Sequence, residues 1–196
     1  MPLYDRIHGH FQTSAQLNLD AADALTPVIE QAAQTIVHCL TQGGKVLACG
    51  NGGSAADSQR FTSAMVNRFE QERPGLAAIA LTTDSSTLTS IANDSAYEQV
   101  FARQVKALGL PGDVLLVIST SGNSPSVLEA VAAAHTRGMH VIALTGQSGG
   151  RLAEQMTDAD VFISVPAEST ARIQEVHLLT IHCLCDAVDS ILLGVE

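Results

Sequence analysis

The sequence predicts an α/β protein: a three-layer α-β-α sandwich around a five-stranded, mostly parallel sheet, with two helices ahead of the first strand. Three observations carry this. Five short segments, Lys45–Cys49, Ala77–Leu81, Asp113–Ser119, His140–Leu144 and Val161–Val165, are nearly continuous in Val, Ile, Leu and Ala, as strands covered on both faces are. Helical periodicity fills the intervals between them. Gly-Gly, Pro-Gly and Gly/Ser/Asn clusters mark the junctions.

The elements follow in order. Leu3, Ile7, Phe11, Ala15, Leu19, Ala22 and Leu25 recur at helical spacing, and Pro27 is read as opening a second helix that runs to about Leu40. Gly43-Gly44 ends it. The first strand leads into Gly50-Asn51-Gly52-Gly53-Ser54 and a helix over Ser54–Phe69; the second is followed by helical stretches over Ser85–Ala92 and Tyr97–Leu108. Pro111-Gly112 turns the chain into the third strand, which ends in Ser119-Thr120-Ser121-Gly122-Asn123-Ser124 ahead of a helix over Pro125–Arg137. The fourth strand, a short helix over Gly150–Gln155, the fifth strand and a closing helix from Thr170 to Leu193 complete the pattern. With no repeat, low-complexity tract or long linker, residues 1–196 read as one domain.

Residues 1–42 are assigned to oligomerisation, because helices that precede the first strand have no obvious place on their own sheet. Apolar residues on more than one face of the closing helix point the same way. A homo-oligomer, dimer or tetramer, is expected.

Composition narrows the function. Hydrophobic residues make up 46% of the chain and aromatics 4%, with no Trp, so Ala, Val, Ile and Leu must build the core. The net charge of −10, with no run of Lys or Arg, argues against direct nucleic-acid binding. Cys39, Cys49, Cys183 and Cys185 lie in apolar segments without zinc-knuckle or disulfide spacing, and are read as buried free thiols. The polar N-terminal segment is neither a signal peptide nor a membrane span, and a cytoplasmic location is expected.

The two loops after the first and third strands are the most informative feature. Each ends a strand and precedes a helix, so backbone N–H groups, hydroxyls and the positive ends of helix dipoles converge on one spot, which suits a phosphate. The alternative is that Gly and Ser only punctuate tight turns.

With these loops placed, the chain resembles the sugar isomerase (SIS) domain family and, within it, the phosphoheptose isomerase group. The carriers are Cys49 to Ala55, Leu81-Thr82-Thr83-Asp84, Ile91-Ala92-Asn93-Asp94, Gly112 to Leu116, Ile118 to Ser124, Ala143-Leu144-Thr145-Gly146 and Arg172 to His177. The resemblance implies a flavodoxin-like sandwich that holds a phosphorylated sugar, as a homotetramer with sites at subunit boundaries. It implies that Ser54, Ser119, Thr120, Ser121 and Ser124 hold the phosphate, that Asn51, Gly52 and Gly53 shape the loop around the sugar, and that Asn93 and Asp94 contact its hydroxyls. Hydroxyl and amide donors preorganised at helix N-termini can bind a dianion without Lys or Arg.

The chemistry departs from the family. Its isomerases carry a His and a Glu four residues apart on the helix after the first loop, and a Gln and a His eight apart on the last helix; the four hold zinc, and the Glu and second His serve as acid and base. Gln174 and His182 match the last helix, but Arg60 stands where the first His belongs and Ala64 where the Glu belongs. Arg is permanently protonated and Ala has no donor, so no metal is expected and His182 is left as a residual catalytic candidate. Arg60 is read as an aid to binding an anionic ligand, the alternative being a solvated or salt-bridged surface Arg.

Three functions are carried forward: an adaptor of the family branch that associates with the replication initiator DnaA, with a retained phosphosugar pocket; an isomerase of sedoheptulose 7-phosphate feeding ADP-heptose and lipopolysaccharide synthesis, which would need zinc; and a phosphosugar sensor. None involves direct nucleic-acid or membrane contact.

Overall fold

The computed structural model describes residues 1–194. Strands β1 (Val46–Gly50), β2 (Ala78–Ala80), β3 (Val114–Ser119), β4 (His140–Gly146) and β5 (Val161–Val165) form one sheet in the order β2-β1-β3-β4-β5, and every neighbouring pair is parallel. Helices α1 (Leu3–Thr41), α2 (Gly53–Val66) and α7 (Thr170–Leu193) cover one face. On the other lie α3 (Ser85–Asp94), α4 (Ala102–Leu108), α5 (Pro125–Thr136) and α6 (Gly150–Gln155).

The strands read as apolar runs because successive side chains enter opposite cores. Val114, Leu116 and Ile118 of β3 join the α1/α2/α7 core, while Leu115 and Val117 join the other. The three-layer sandwich is as expected, with the sheet wholly parallel.

Four expectations change; one of them, the end of α2 at Val66 instead of Phe69, belongs with the site below. The two N-terminal helices are one helix of 39 residues with Pro27 inside it. An internal proline costs about 3 kcal/mol through one lost hydrogen bond and a clash. Leu25 before it and Ala32, Ala33, Ile36 and Cys39 after it are all buried, and at about 1.5–3 kcal/mol for each large aliphatic side chain that packing offsets the loss.

The segment Tyr97–Leu108 is divided into a 3₁₀ turn at Tyr97–Gln99 and α4, with Val100 and Phe101 buried between them. Of the cysteines, Cys39, Cys49 and Cys185 are buried but Cys183 is exposed.

Helix α7 is the one helix among the described residues long and apolar enough to cross a membrane. Its buried residues, including Ile173, Val176, Ile181, Leu184 and Val188, belong to the core over α1 and the sheet.

Candidate functional site

In the strand order 2-1-3-4-5 the chain reverses its direction of sheet growth between β1 and β3, and the crevice at the carboxyl ends of those strands is where such sheets bind ligands. Both Ser/Gly loops lie there. The register pairs Gly50 with Ile118, so the loop after β1 and the loop after β3 leave the sheet side by side.

Two glycines make this approach possible. A Cβ on Gly50 would sit 2.7 Å from the carbonyl oxygen of Ile118 and 2.8 Å from Cβ of Ser54, so only glycine lets the first turn of α2 lie against β3. Gly122 has φ +62°, and a Cβ there would lie 1.8 Å from the Gly149 carbonyl oxygen.

Ser54 and Ser119 are buried, and the Ser119 hydroxyl donates to Oγ of Ser124 at 3.3 Å. Thr120 and Ser121 are half-buried beside them. Neither α2 nor α5 has a side-chain N-cap, so the positive ends of both helices are turned toward the loops without a competing carboxylate.

Asn51 is more a brace than a free donor. Its Nδ2 donates to Oγ of Ser126 at 2.9 Å, and its Oδ1 accepts from the Tyr97 hydroxyl at 2.8 Å, tying the first loop to α5 and the 3₁₀ turn. Asn93 and Asp94 are exposed on the last turn of α3 and hydrogen-bond to each other at 2.9 Å.

The second part of the site lies between α2 and α7. Nε2 of Gln174 reaches to 2.7 Å from where a Cβ of Gly53 would be, which joins α7 to the first loop. Further along, Arg60, Ala64 and His182 line a cleft of 520 Å³ with Gln59, Ser63 and Phe69. The His182 ring leans on Phe69 with centroids 5.7 Å apart. The structure therefore brings Arg60, Ala64 and His182 together, with Gln174 at the end nearer the loops; the serines, Asn93 and Asp94 do not line this cleft.

Comparison with known proteins assigns the fold to a family. The SIS domain family model matches residues 10–146. The chain belongs to the SIS domain family. Within it, the chain falls in the phosphoheptose isomerase group: it is similar to the phosphoheptose isomerase of Thiobacillus denitrificans (80% identity, all of both chains) and to that of Azoarcus sp. strain BH72 (61%, all of both chains). Among solved structures it is similar to the phosphoheptose isomerase of Neisseria gonorrhoeae (TM-score 0.92, 52% identity, 96% of this chain and 100% of that one). The Francisella tularensis phosphoheptose isomerase gives a TM-score of 0.94 at 50% identity, covering 97% of this chain and 100% of that one.

In this SIS chain the donors for the zinc that the family resemblance implies do not fit the metal. Gln174 and His182 offer an amide and an imidazole, whereas Arg60 brings a permanent positive charge and Ala64 no donor. Among the described residues no group of three or more His, Cys, Asp or Glu side chains is placed to hold a metal ion. Asp57, one turn before Arg60, does not line the cleft; burial pushes its carboxyl above the usual carboxylate range, with Arg60 partly opposing the shift.

Three residues of this region were not picked out from the sequence. Arg73 pairs with Asp189 of α7, both nearly fully buried, and donates to the carbonyl oxygens of Ala64 and Met65 at 2.9 and 2.8 Å. It takes up the carbonyls at the end of α2 and fastens that end to α7, which is why α2 stops at Val66 and does not reach Phe69.

His177, to which the family resemblance assigns no role, is buried and holds the end of β4 through a 2.9 Å hydrogen bond between its Nε2 and the Thr145 carbonyl oxygen. Burial lowers its pKa, against the opposing pull of that bond, so it is neutral and donates from Nε2. A lone Arg before a Pro and a His within an apolar helix give no periodic signal, so only contacts expose them.

Proposed function

We propose that this chain binds a phosphorylated sugar of the phosphoheptose class, with its phosphate in the cradle formed by Ser54, Ser119, Thr120, Ser121 and Ser124, and that it does not turn the sugar over by a zinc-assisted route. The observation that carries this is the pairing of a retained cradle with Arg60 and Ala64 in the adjoining cleft. The cradle supplies hydroxyls and helix ends for a dianion. The cleft supplies two guanidinium groups, an imidazole and an amide, and among the described residues no carboxylate lines it to act as the second member of an acid–base pair, a function worth about 10²–10⁴ in rate.

A second reading, isomerisation of sedoheptulose 7-phosphate, is favoured by the name shared by end-to-end relatives at 61–80% identity. It would leave His182 as the remaining acid–base candidate and would call for zinc. The comparisons favour this reading over the adaptor one, since they bring nothing toward a DnaA partner; a phosphosugar sensor likewise rests on the sequence reading alone. A cytoplasmic location is part of the same proposal.

Self-association is also proposed. Leu3, Tyr4, Ile7, Phe11 and Leu19 are all exposed along the first half of α1, at the spacing of one helix face. A second copy of the chain would cover them.

Turnover of sedoheptulose 7-phosphate, measured with and without zinc for the natural chain and for Arg60→His with Ala64→Glu, separates the first two readings. We expect no turnover above background from the natural chain and zinc-dependent turnover from the double variant. A kcat in the ordinary enzyme range of about 1–10³ s⁻¹ for the natural chain would establish the isomerase.

A further inference from the structure

We infer that the cleft between α2 and α7 is a second anion subsite, so that the preferred ligand is a sugar phosphate carrying another negative group, carboxylate or phosphate, at the end away from the cradle. The inference rests on the phosphosugar reading above and gives the class of sugar.

The charge pattern of the cleft carries it. Arg60, Arg68 and His182 line the cleft, and among the described residues no Asp or Glu does, although the whole chain has a net charge of −10. Arg68 sits at the rim with an ion pair to exposed Glu72 at 3.2 Å. Arg60 has no hydrogen bond or ion pair to another described residue; its electrostatic neighbour is Asp57, whose carboxyl is itself half-buried. Arg60 is exposed on the cleft wall, so its guanidinium, a planar fork of donors matched to a carboxylate or a phosphate, is open to an incoming anion.

The cleft and the cradle adjoin the same two helices. Ser54 and Arg60 belong to the same helix, six residues apart, which is about 9 Å along the axis. On α7 the partners are Gln174, beside the first loop, and His182, in the cleft. Gln59 and Ser63 offer neutral donors along the wall.

Isothermal titration of the natural chain with glucose 6-phosphate against 6-phosphogluconate, and with fructose 6-phosphate against fructose 1,6-bisphosphate, tests the inference and tells carboxylate from phosphate. We expect each doubly anionic ligand, or the one whose second group fits, to bind at least tenfold more tightly than its singly phosphorylated counterpart. Arg60→Ala should abolish that preference, and Arg60→Lys should restore part of it. Equal affinities within both pairs, or a preference that survives Arg60→Ala, would overturn the second subsite while leaving the cradle standing. If neither monophosphate binds, or if Ser119→Ala with Ser124→Ala leaves their binding unchanged in a folded protein, the phosphosugar reading fails and the inference fails with it.

Discussion

At the scale of single residues, the site depends on backbone that only glycine can supply and on a histidine the chemistry does not use. Gly122→Ala places a methyl against the Gly149 carbonyl in a left-handed conformation. The conformation alone costs about 1–2 kcal/mol and the clash adds to it. The denaturant midpoint should drop by more than the conformational term, together with phosphosugar affinity. His177 gives a pH signature. Its folded pKa lies below that of the unfolded chain, so on acidification the unfolded state takes up a proton that the folded state refuses. Its stabilisation is present above the unfolded value of about 6.5 and is lost as pH falls from there toward the folded value. Urea midpoints measured from pH 7.5 to about 5.5 should fall more steeply for the natural chain than for His177→Gln; parallel slopes would remove this role. The serines of both loops were legible as residues because turn chemistry and strand ends are written locally. Asn51 was legible as a loop residue but not as a brace, since its partners Ser126 and Tyr97 are distant in sequence.

At the scale of elements, α2 and α7 form the wall of the cleft, and one buried ion pair sets their relation. Removing one partner of such a pair costs about 3–5 kcal/mol, because the other charge stays buried without compensation. Arg73→Met should therefore destabilise the chain by about that much in urea unfolding. Arg73→Met with Asp189→Leu should recover a large part, which distinguishes an uncompensated charge from lost packing. The closing helix from Thr170 to Leu193 and the fifth strand at Val161–Val165 were legible to the residue because both are strongly apolar between clear turns. Helix α1 was not: Pro27 is a local signal for a boundary, whereas the buried side chains that carry the helix through it are tertiary. The end of α2 was misplaced for the same reason, since Arg73 stops it from beyond the helix.

For the whole molecule, a parallel sheet with the order 2-1-3-4-5 puts two serine-rich loops at its switch point, and a long N-terminal helix leaves an apolar stripe exposed among the described residues. Light scattering behind size exclusion should give a multiple of 20.5 kDa, and Ile7→Glu with Phe11→Glu should reduce it without unfolding the sheet. The alternation of strands and helices made the sandwich legible, but strand order and assembly depend on contacts between elements that no local pattern records. The central claim is that the cradle holds a phosphosugar that the cleft does not turn over. Proton NMR of sedoheptulose 7-phosphate with a stoichiometric amount of the natural chain, in D₂O with zinc present, tests it most directly. We expect saturable broadening of the sugar resonances with no new aldose signals and no deuterium uptake beside the carbonyl; conversion of the bound ketose would contradict the claim by showing that the cleft is catalytic.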